Sequence, residues 1–377
     1  MKMLQSCFIK LFARFTLLVL LLSAVVTCAQ EAKKIDSVLK KANVLVYEDP
    51  DEAIKTAGNI QAQYKLTTKQ QTDALLTIAG AYSAKSYNQK AIDYGLKAYK
   101  LASAGNSDKD QVRALGFIGN QYYFLKMHDK VNLYLDMAEQ IMDSKIPKDS
   151  LRFIKGNVYF VKGVNYKDKL DCDVAVSYFD KAIAEYVKTN DNNSSSLNLS
   201  IALIQKGLCL TDQLRLDDAR VILLKARGIA FTNGYTENGY FADIALAKTY
   251  YAENDFKGSN TILFKIEKDV DQFHGLTLQS EFYQALADNF LKLKDYGNYN
   301  IYSTKFLKLK TKTDSLEMIS FHNLINEISV DKKNAVKKQN RDENIYYAIA
   351  CFLFLATGGF LFFKFLKVIK SLRNSKL

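Results

Sequence analysis

The side chains most often used in metal binding and catalysis are sparse in this chain. Its three histidines, His128, His274 and His322, lie far apart, and none has a Cys, His or Glu at metal-ligand spacing. The sequence also lacks the short motifs of nucleotide-binding and serine-hydrolase sites. The acidic pair Asp217-Asp218 stands at a predicted helix start, where carboxylates stabilise the helix end. We therefore expect no catalytic residues, no metal and no cofactor, and we predict that the protein is not an enzyme.

An apolar stretch near the N-terminus predicts export from the cytoplasm. It runs from Phe15 to Val26 within a chain of 377 residues, and it follows three basic residues: Lys2, Lys10 and Arg14. A basic start, a short apolar run and a small-residue exit are typical of a secretory signal peptide. Residues 1–29 are therefore predicted to be a signal peptide that is cleaved after Ala29. Lipidation of Cys28 is the alternative.

A second apolar stretch, residues 345–363, is long enough to cross a bilayer. It contains 19 uncharged residues, and a helix of that length extends about 28 Å. Tyr346 and Tyr347 stand at its entry, as interfacial aromatic residues do, and a run of basic residues follows it. The positive-inside rule places this tail, residues 364–377, in the cytoplasm. We expect a single-pass protein of the bacterial inner membrane, with the preceding domain in the periplasm.

The net charge follows the predicted topology. Of the formal charge of +12, residues 1–29 carry +3 and residues 364–377 carry +5, which leaves +4 on residues 30–344. A nucleic-acid-binding protein would require a basic patch or stripe, and none is evident in the sequence. We therefore expect no nucleic-acid partner.

The body of the chain is an internal repeat of amphipathic segments. Only two prolines, Pro50 and Pro147, interrupt a pattern of long apolar-periodic segments with short polar breaks, which predicts an all-α fold. Three segments share a glycine, an aromatic or Leu, a small residue, a large apolar residue and an alanine at matching spacing. Their residues are Gly119, Tyr122, Val131, Leu135 and Ala138; Gly163, Tyr166, Ala175, Phe179 and Ala182; and Gly207, Leu210, Ala219, Leu223 and Ala226. Across the chain, the small position recurs at 53, 91, 131, 175, 219, 259 and 299.

This pattern resembles the tetratricopeptide (TPR) repeat, a helix–turn–helix unit. The resemblance implies a solenoid over residues 30–309, made of about seven repeats of roughly 40 residues. Its small residues would let neighbouring helices approach closely. The extra length over the common repeat is expected in extended helices and in a loop at Lys188–Ser196. Residues 310–344 are predicted to be a polar stalk that starts with a capping helix, whose apolar face is formed by Leu316, Ile319, Leu324 and Ile328.

The resemblance also implies where a partner would bind. Such solenoids present a concave face lined by the first helix of each repeat. The residues that map to this face are Asn120, Tyr123, Asn157, Phe160, Ile201, Ile204, Lys248, Tyr251 and Asp288. They predict a protein or peptide ligand, and no small-molecule substrate is expected. In the same fold Cys172 and Cys209 fall at neighbouring helix ends, so they either form a disulfide or remain two buried thiols.

The functional hypothesis combines these elements. An exported repeat domain with one membrane helix resembles the sensing half of bacterial TPR regulators, but here the expected cytoplasmic output domain is missing. The first hypothesis is a membrane-tethered periplasmic scaffold that binds a protein or peptide. The alternative is a sensor without an output domain, which would signal laterally through the membrane helix of a partner.

Overall fold

Helices account for nearly all of the described chain. The computed structural model describes residues 30–189, 192–273 and 275–374. The described helices are α1 (residues 30–44), α2 (Pro50–Gln63), α3 (Thr68–Ala84), α4 (Asn88–Ala104), α5 (Asp108–Phe124), α6 (His128–Lys145), α7 (Arg152–Asp168), α8 (Cys172–Val187), α9 (Asn192–Asp212), α10 (Leu216–Thr232), α11 (Thr236–Ala252), α12 (Phe256–Ile266), α13 (Leu276–Lys292) and α14 (Tyr296–Asn374). A short 3-10 helix, Glu267–Gln272, separates α12 from α13.

Successive helices form the predicted helix–turn–helix repeats. The seven small-residue positions all lie in the even-numbered helices, which are the second helices of each pair. The first six of these residues are at most 1% exposed: Ala53, Ala91, Val131, Ala175, Ala219 and Ser259. The seventh, Tyr299, is half-buried and packs against the last core cluster. The structure thus confirms an all-α repeat fold of seven helix pairs in the part of the chain that it describes.

Glycines in three of the first helices allow close packing of the second helix. A Cβ atom built on Gly163 would lie 2.6 Å from two ring carbons of Phe179, and one on Gly207 would lie 2.5 Å from Leu223. The same clash occurs between Gly119 and Leu135. In all three repeats the large residue follows the glycine by 16 positions. The sequence therefore repeats the close contact along with the helices.

Most turns between helices share one backbone conformation. Ser86 in the turn after α3 has φ 62°, and the Tyr87 N–H donates to the Tyr82 carbonyl over 2.9 Å. Leu214 has φ 58° in the equivalent turn after α9, where the Arg215 N–H donates to the Leu210 carbonyl. A left-handed residue with this hydrogen bond is the helix-ending Schellman motif. Because this motif recurs, successive helices reverse the direction of the chain in the same way.

Two predicted segments differ from the structure. Residues 188–196 were expected to form a loop, but α9 already begins at Asn192 and has 21 residues, which extends this repeat mainly through helix. The α14 helix has 79 residues and continues through the predicted cap and stalk. In the predicted capping face, Ile319 is 57% exposed. The other three side chains of that face lie outside the described residues.

The described chain divides into two compact units, Met1–Phe321 and His322–Leu377. The first unit contains α1 to α13 and the start of α14, and the second unit contains the remainder of α14. Over the residues that are described, no helix has a stretch sufficiently long and apolar to span a bilayer. The predicted signal peptide, residues 1–29, lies outside the description, as do residues 375–377 and, within the predicted span, the side chains of Ala356 and residues 359–363.

Candidate functional site

A groove in the first unit is bordered mainly by the first helices of five repeats. We call this cavity of about 660 Å³ the inner groove. Its walls come from α1, α3, α5, α7 and α9, with Val46 and Tyr47 added by the turn after α1. The lining includes Asn43, Arg113, Phe117, Asn120, Ile154, Asn157, Phe160, Asn198 and Ile201. Amide, aromatic and aliphatic side chains therefore face one continuous space.

The amide groups give the inner groove its hydrogen-bonding capacity. Asn157 Oδ1 accepts hydrogen bonds from the Tyr186 hydroxyl at 2.7 Å and from Asn198 Nδ2 at 3.0 Å. These contacts fix Asn157 across α7, α8 and α9. The Asn120 side chain is half-buried in the groove wall, and within the described chain it makes no hydrogen bond. An asparagine amide offers both donors and an acceptor, so it matches the polar groups of a peptide backbone.

Arg113 places a positive charge in the wall of the inner groove. Its Nη1 lies 2.6 Å from Asp73 Oδ1 and 2.8 Å from Asp110 Oδ1. Burial alone would lower the pKa of Arg113, but the two carboxylates outweigh burial and raise it. The guanidinium therefore stays charged, and most of its charge is balanced locally. A neighbouring cavity of about 310 Å³ continues from Arg113 towards Asp36 and Lys69.

A smaller cavity of about 170 Å³ lies between α11 and α13. We call it the α11–α13 pocket. Lys248 and Tyr251 of α11 and Asp288 of α13 line it, together with Ser259, Gln284, Ala285 and Asn289. The Lys248 ammonium is already paired with Glu281 Oε2 at 2.7 Å. Burial raises the pKa of Asp288, although Lys248 and Lys292 act in the opposite direction.

The structure assigns most of the predicted site residues to these two cavities. Asn120, Asn157, Phe160 and Ile201 line the inner groove. The α11–α13 pocket contains the other three that line a cavity: Lys248, Tyr251 and Asp288.

Ile204 and Tyr123 were predicted to lie on the concave face, but neither lines one of the two cavities. Ile204 is only 4% exposed and belongs to a core cluster with Leu203 and Leu223. Tyr123 packs between helices, with the Lys126 ammonium 5.4 Å from its ring centre. Burial, followed by the negative charge of Asp168, raises the pKa of Tyr123. Each residue lies three positions after a groove residue, Ile201 or Asn120, but its side chain packs in or against a core cluster and does not line the groove.

Several groove residues escaped the sequence mapping. Arg113 and Phe117 share the groove face of α5 with Asn120, at spacings of four and three residues. Asn198 shares the corresponding face of α9 with Ile201, three residues later. Residues three or four apart lie on one face of a helix. Extending the mapping by one turn towards each helix N-terminus would have identified them.

The two central cysteines form a disulfide in the structure. Cys172 is the first residue of α8 and Cys209 lies in α9, with their Cα atoms 5.3 Å apart. The bridge links residues separated by 37 positions and ties neighbouring repeats together. Of the alternatives that the sequence left open, the structure has the bridge.

The histidines and acidic residues show no metal-binding arrangement in the described ranges. No group of three His, Cys, Asp or Glu side chains there is placed to hold a metal ion. His128 Nδ1 lies 2.8 Å from Asn165 Oδ1, which accounts for that ring. His274 lies outside the described residues. As predicted, Asp217 and Asp218 occupy the first turn of α10.

No protein-family model matches the sequence, and no curated protein matches it. Among solved structures, the chain is similar to the apo form of RapI, with a TM-score of 0.55 and 14% identity over 74% of this chain and 86% of that one. It is also similar to aspartyl phosphate phosphatase F from Bacillus subtilis, with a TM-score of 0.52 and 14% identity over 74% of this chain and 68% of that one. For the APC/C hetero-tetramer Cut9–Hcn1 the TM-score is 0.53, with 12% identity over 78% of this chain and 49% of that one. At these identities the similarity shows the fold alone, a TPR-like solenoid.

Proposed function

We propose that the protein is a binding scaffold whose inner groove holds a peptide or an extended segment of a partner protein. The observation that carries this proposal is the 660 Å³ cavity bordered by the first helices of five successive repeats. One of the similar solved structures, the Cut9–Hcn1 hetero-tetramer, is itself an assembly of proteins. We propose a role of this kind for the present chain, in which it binds a protein or peptide and catalyses no reaction.

The chemistry of the inner groove fits an extended peptide. Asn120 offers an amide without a hydrogen bond among the described residues, and Asn157 is held in place by Tyr186 and Asn198. Neighbouring helices pack about 10 Å apart, so four steps between first helices cover about 40 Å. That length corresponds to on the order of twelve extended residues. Phe117 and Phe160 add apolar surface for alternate side chains of such a peptide.

The proposal includes a membrane-tethered location. Export is supported by the basic and apolar composition of residues 1–29, and anchoring by the uncharged stretch 345–363 with its basic tail. The Cys172–Cys209 bridge adds support because disulfides persist in oxidising compartments such as the periplasm. The repeat domain would then meet its partners in the periplasm of a bacterium, with the C-terminal tail in the cytoplasm.

Peptide binding is tested by selection on the full-length chain. Random twelve-residue peptides are displayed and selected, and the affinity of the recovered peptides is measured by fluorescence anisotropy. The variant Asn120→Arg places a bulky cation in the groove and should weaken binding at least about tenfold. The control Asn300→Arg makes the same substitution on the exposed surface of α14, and it should bind as the parent does. Recovery of no peptides, or equal affinity of the two variants, would contradict the proposal.

The location is tested with epitopes at both ends of the mature chain. In bacterial spheroplasts, added protease should degrade residues 30–344 and leave the epitope after residue 377 protected. Alkaline extraction should keep the full-length chain in the membrane fraction. A repeat domain that remains intact until the cells are lysed would reject the periplasmic location.

A further inference from the structure

The α11–α13 pocket contains a buried hydrogen-bond acceptor with no partner. Asn289 is fully buried, and its Nδ2 donates to Ser259 Oγ at 2.8 Å and to Asn260 Oδ1 at 2.7 Å. These two bonds orient the amide. Its Oδ1 has no hydrogen-bond partner among the described residues. Leaving such an atom unpaired is destabilising, so a donor from a ligand would be stabilised here.

A carboxylate without a bonded partner lies beside this acceptor. Asp288 precedes Asn289 in α13, lines the same pocket and is half-buried. Within the described residues it forms neither a hydrogen bond nor an ion pair. The charges that act on it are Lys248 and Lys292. Lys248 already contacts Glu281 at 2.7 Å, so the pocket retains uncompensated acceptor capacity.

The remaining lining favours a positive charge. Tyr251 contributes an aromatic ring, which packs against Phe256 at a centroid distance of 5.3 Å. Aromatic rings attract ammonium and guanidinium groups through their quadrupole. Gln284 adds a further amide oxygen at the rim. An anionic ligand would meet Asp288 and find the Lys248 ammonium already engaged, so its binding would be opposed.

We propose that the α11–α13 pocket binds a cationic side chain, a lysine ammonium or an arginine guanidinium, through Asp288, the Asn289 Oδ1 atom and the Tyr251 ring. This inference deepens the proposed function and rests on it for the source of the cation, which would be a basic residue of the bound peptide. The inner groove supplies contacts to the peptide backbone, and this pocket would select for charge. A basic residue in the partner is thus the predicted requirement.

The pocket is tested directly with a small probe and the full-length chain in detergent. Ligand-observed NMR measures binding of N-acetyl-lysine methylamide and of its uncharged analogue, N-acetyl-norleucine methylamide. The parent protein should bind the lysine probe at least about tenfold more tightly than the norleucine probe, because hydrogen bonds to charged groups are strong. Asp288→Asn should remove most of that difference. Asp143→Asn makes the same change of charge at an exposed position of α6 and should leave it intact.

Equal binding of the two probes by the parent protein would overturn the inference. A preference for lysine that Asp288→Asn leaves unchanged would also overturn it. The result is independent of the peptide selection on the inner groove. Failure of the selection with the lysine preference intact would reject the proposed function and keep the cation pocket. Selected peptides whose binding depends on Asn120, together with equal binding of the two probes, would keep the proposed function and reject the cation pocket.

Discussion

The glycines of the first helices predict a sharp contrast between two chemically identical substitutions. Gly163→Ala in α7 would place a Cβ atom 2.6 Å from the ring of Phe179, which is fully buried in α8. The ring is enclosed by the buried residues Val164, Ala175 and Cys209, so it has little room to move. Gly228→Ala in α10 is the matched control, because nothing lies within 4 Å of its added Cβ.

The magnitudes follow from two opposing effects. Overpacking a well-filled core costs about 1–3 kcal/mol. Alanine in place of glycine within a helix contributes about 1 kcal/mol of stabilisation. Gly163→Ala should therefore lower the free energy of unfolding by about 1 kcal/mol, and Gly228→Ala should raise it by a similar amount. Urea unfolding of the full-length chain, followed by far-UV circular dichroism, measures both shifts.

A second substitution tests whether the contact with Phe179 is the cause. Ala247 and Leu263 occupy the same register, 16 residues apart, and both are fully buried. The double variant Gly163→Ala/Phe179→Leu recreates this pair. It should be less destabilised than the sum of its single variants, by about 1 kcal/mol of coupling. If Gly163→Ala stabilises the protein as much as Gly228→Ala does, the packing argument is refuted.

Three further perturbations probe the same fold. Lys162→Met should lower the free energy of unfolding by about 2 kcal/mol at pH 7, because this 2%-exposed lysine pairs with Glu139. Burial would raise the pKa of Glu139, but hydrogen bonds to Lys162 and Lys181 outweigh it and lower that pKa from 4.5. The loss of unfolding free energy caused by Lys162→Met should therefore shrink as the pH falls below 4.5 and through the lowered pKa. Cys209→Ala should cost about 3–4 kcal/mol in denaturant unfolding, with a matching loss when the parent is reduced, since the bridge to Cys172 closes 37 positions of chain; equal stability of the oxidised and the reduced parent would contradict this. Leu214→Gly should raise the free energy of unfolding by less than about 1 kcal/mol, and the thermal midpoint slightly with it, because φ is 58° at this exposed turn residue; a lower midpoint would disprove strain there.

The repeat was predictable because its physical constraint is local and recurs. A small residue in most second helices and a glycine or alanine in most first helices are dictated by close helix contact, so residues such as Gly207 and Ala219 mark the register directly. The start of α2 is likewise dictated locally, by residues at that end of the helix. The Asp49 side chain accepts from the Glu52 N–H at 3.1 Å, with Pro50 at the first helical turn.

The site was only partly predictable because it depends on how the repeats stack. Asn120 and Asn157 reach the inner groove as expected, but Ile204 does not, because its side chain packs in a core cluster with residues of the neighbouring helices. The α11–α13 pocket depends on the unpartnered oxygen of Asn289. That property arises from the positions of Ser259 and its neighbour in α12, and no spacing in the sequence of α13 encodes it.

The central claim is that the inner groove holds a peptide segment of a partner. Site-specific photocrosslinking in producing cells tests it most directly, with benzoylphenylalanine at position 120 of the full-length chain and, as a control, at position 300. We predict a discrete crosslinked partner from position 120 that a selected peptide displaces, and no such product from position 300. Crosslinks from position 300 alone, or a product at position 120 that no selected peptide displaces, would contradict the account.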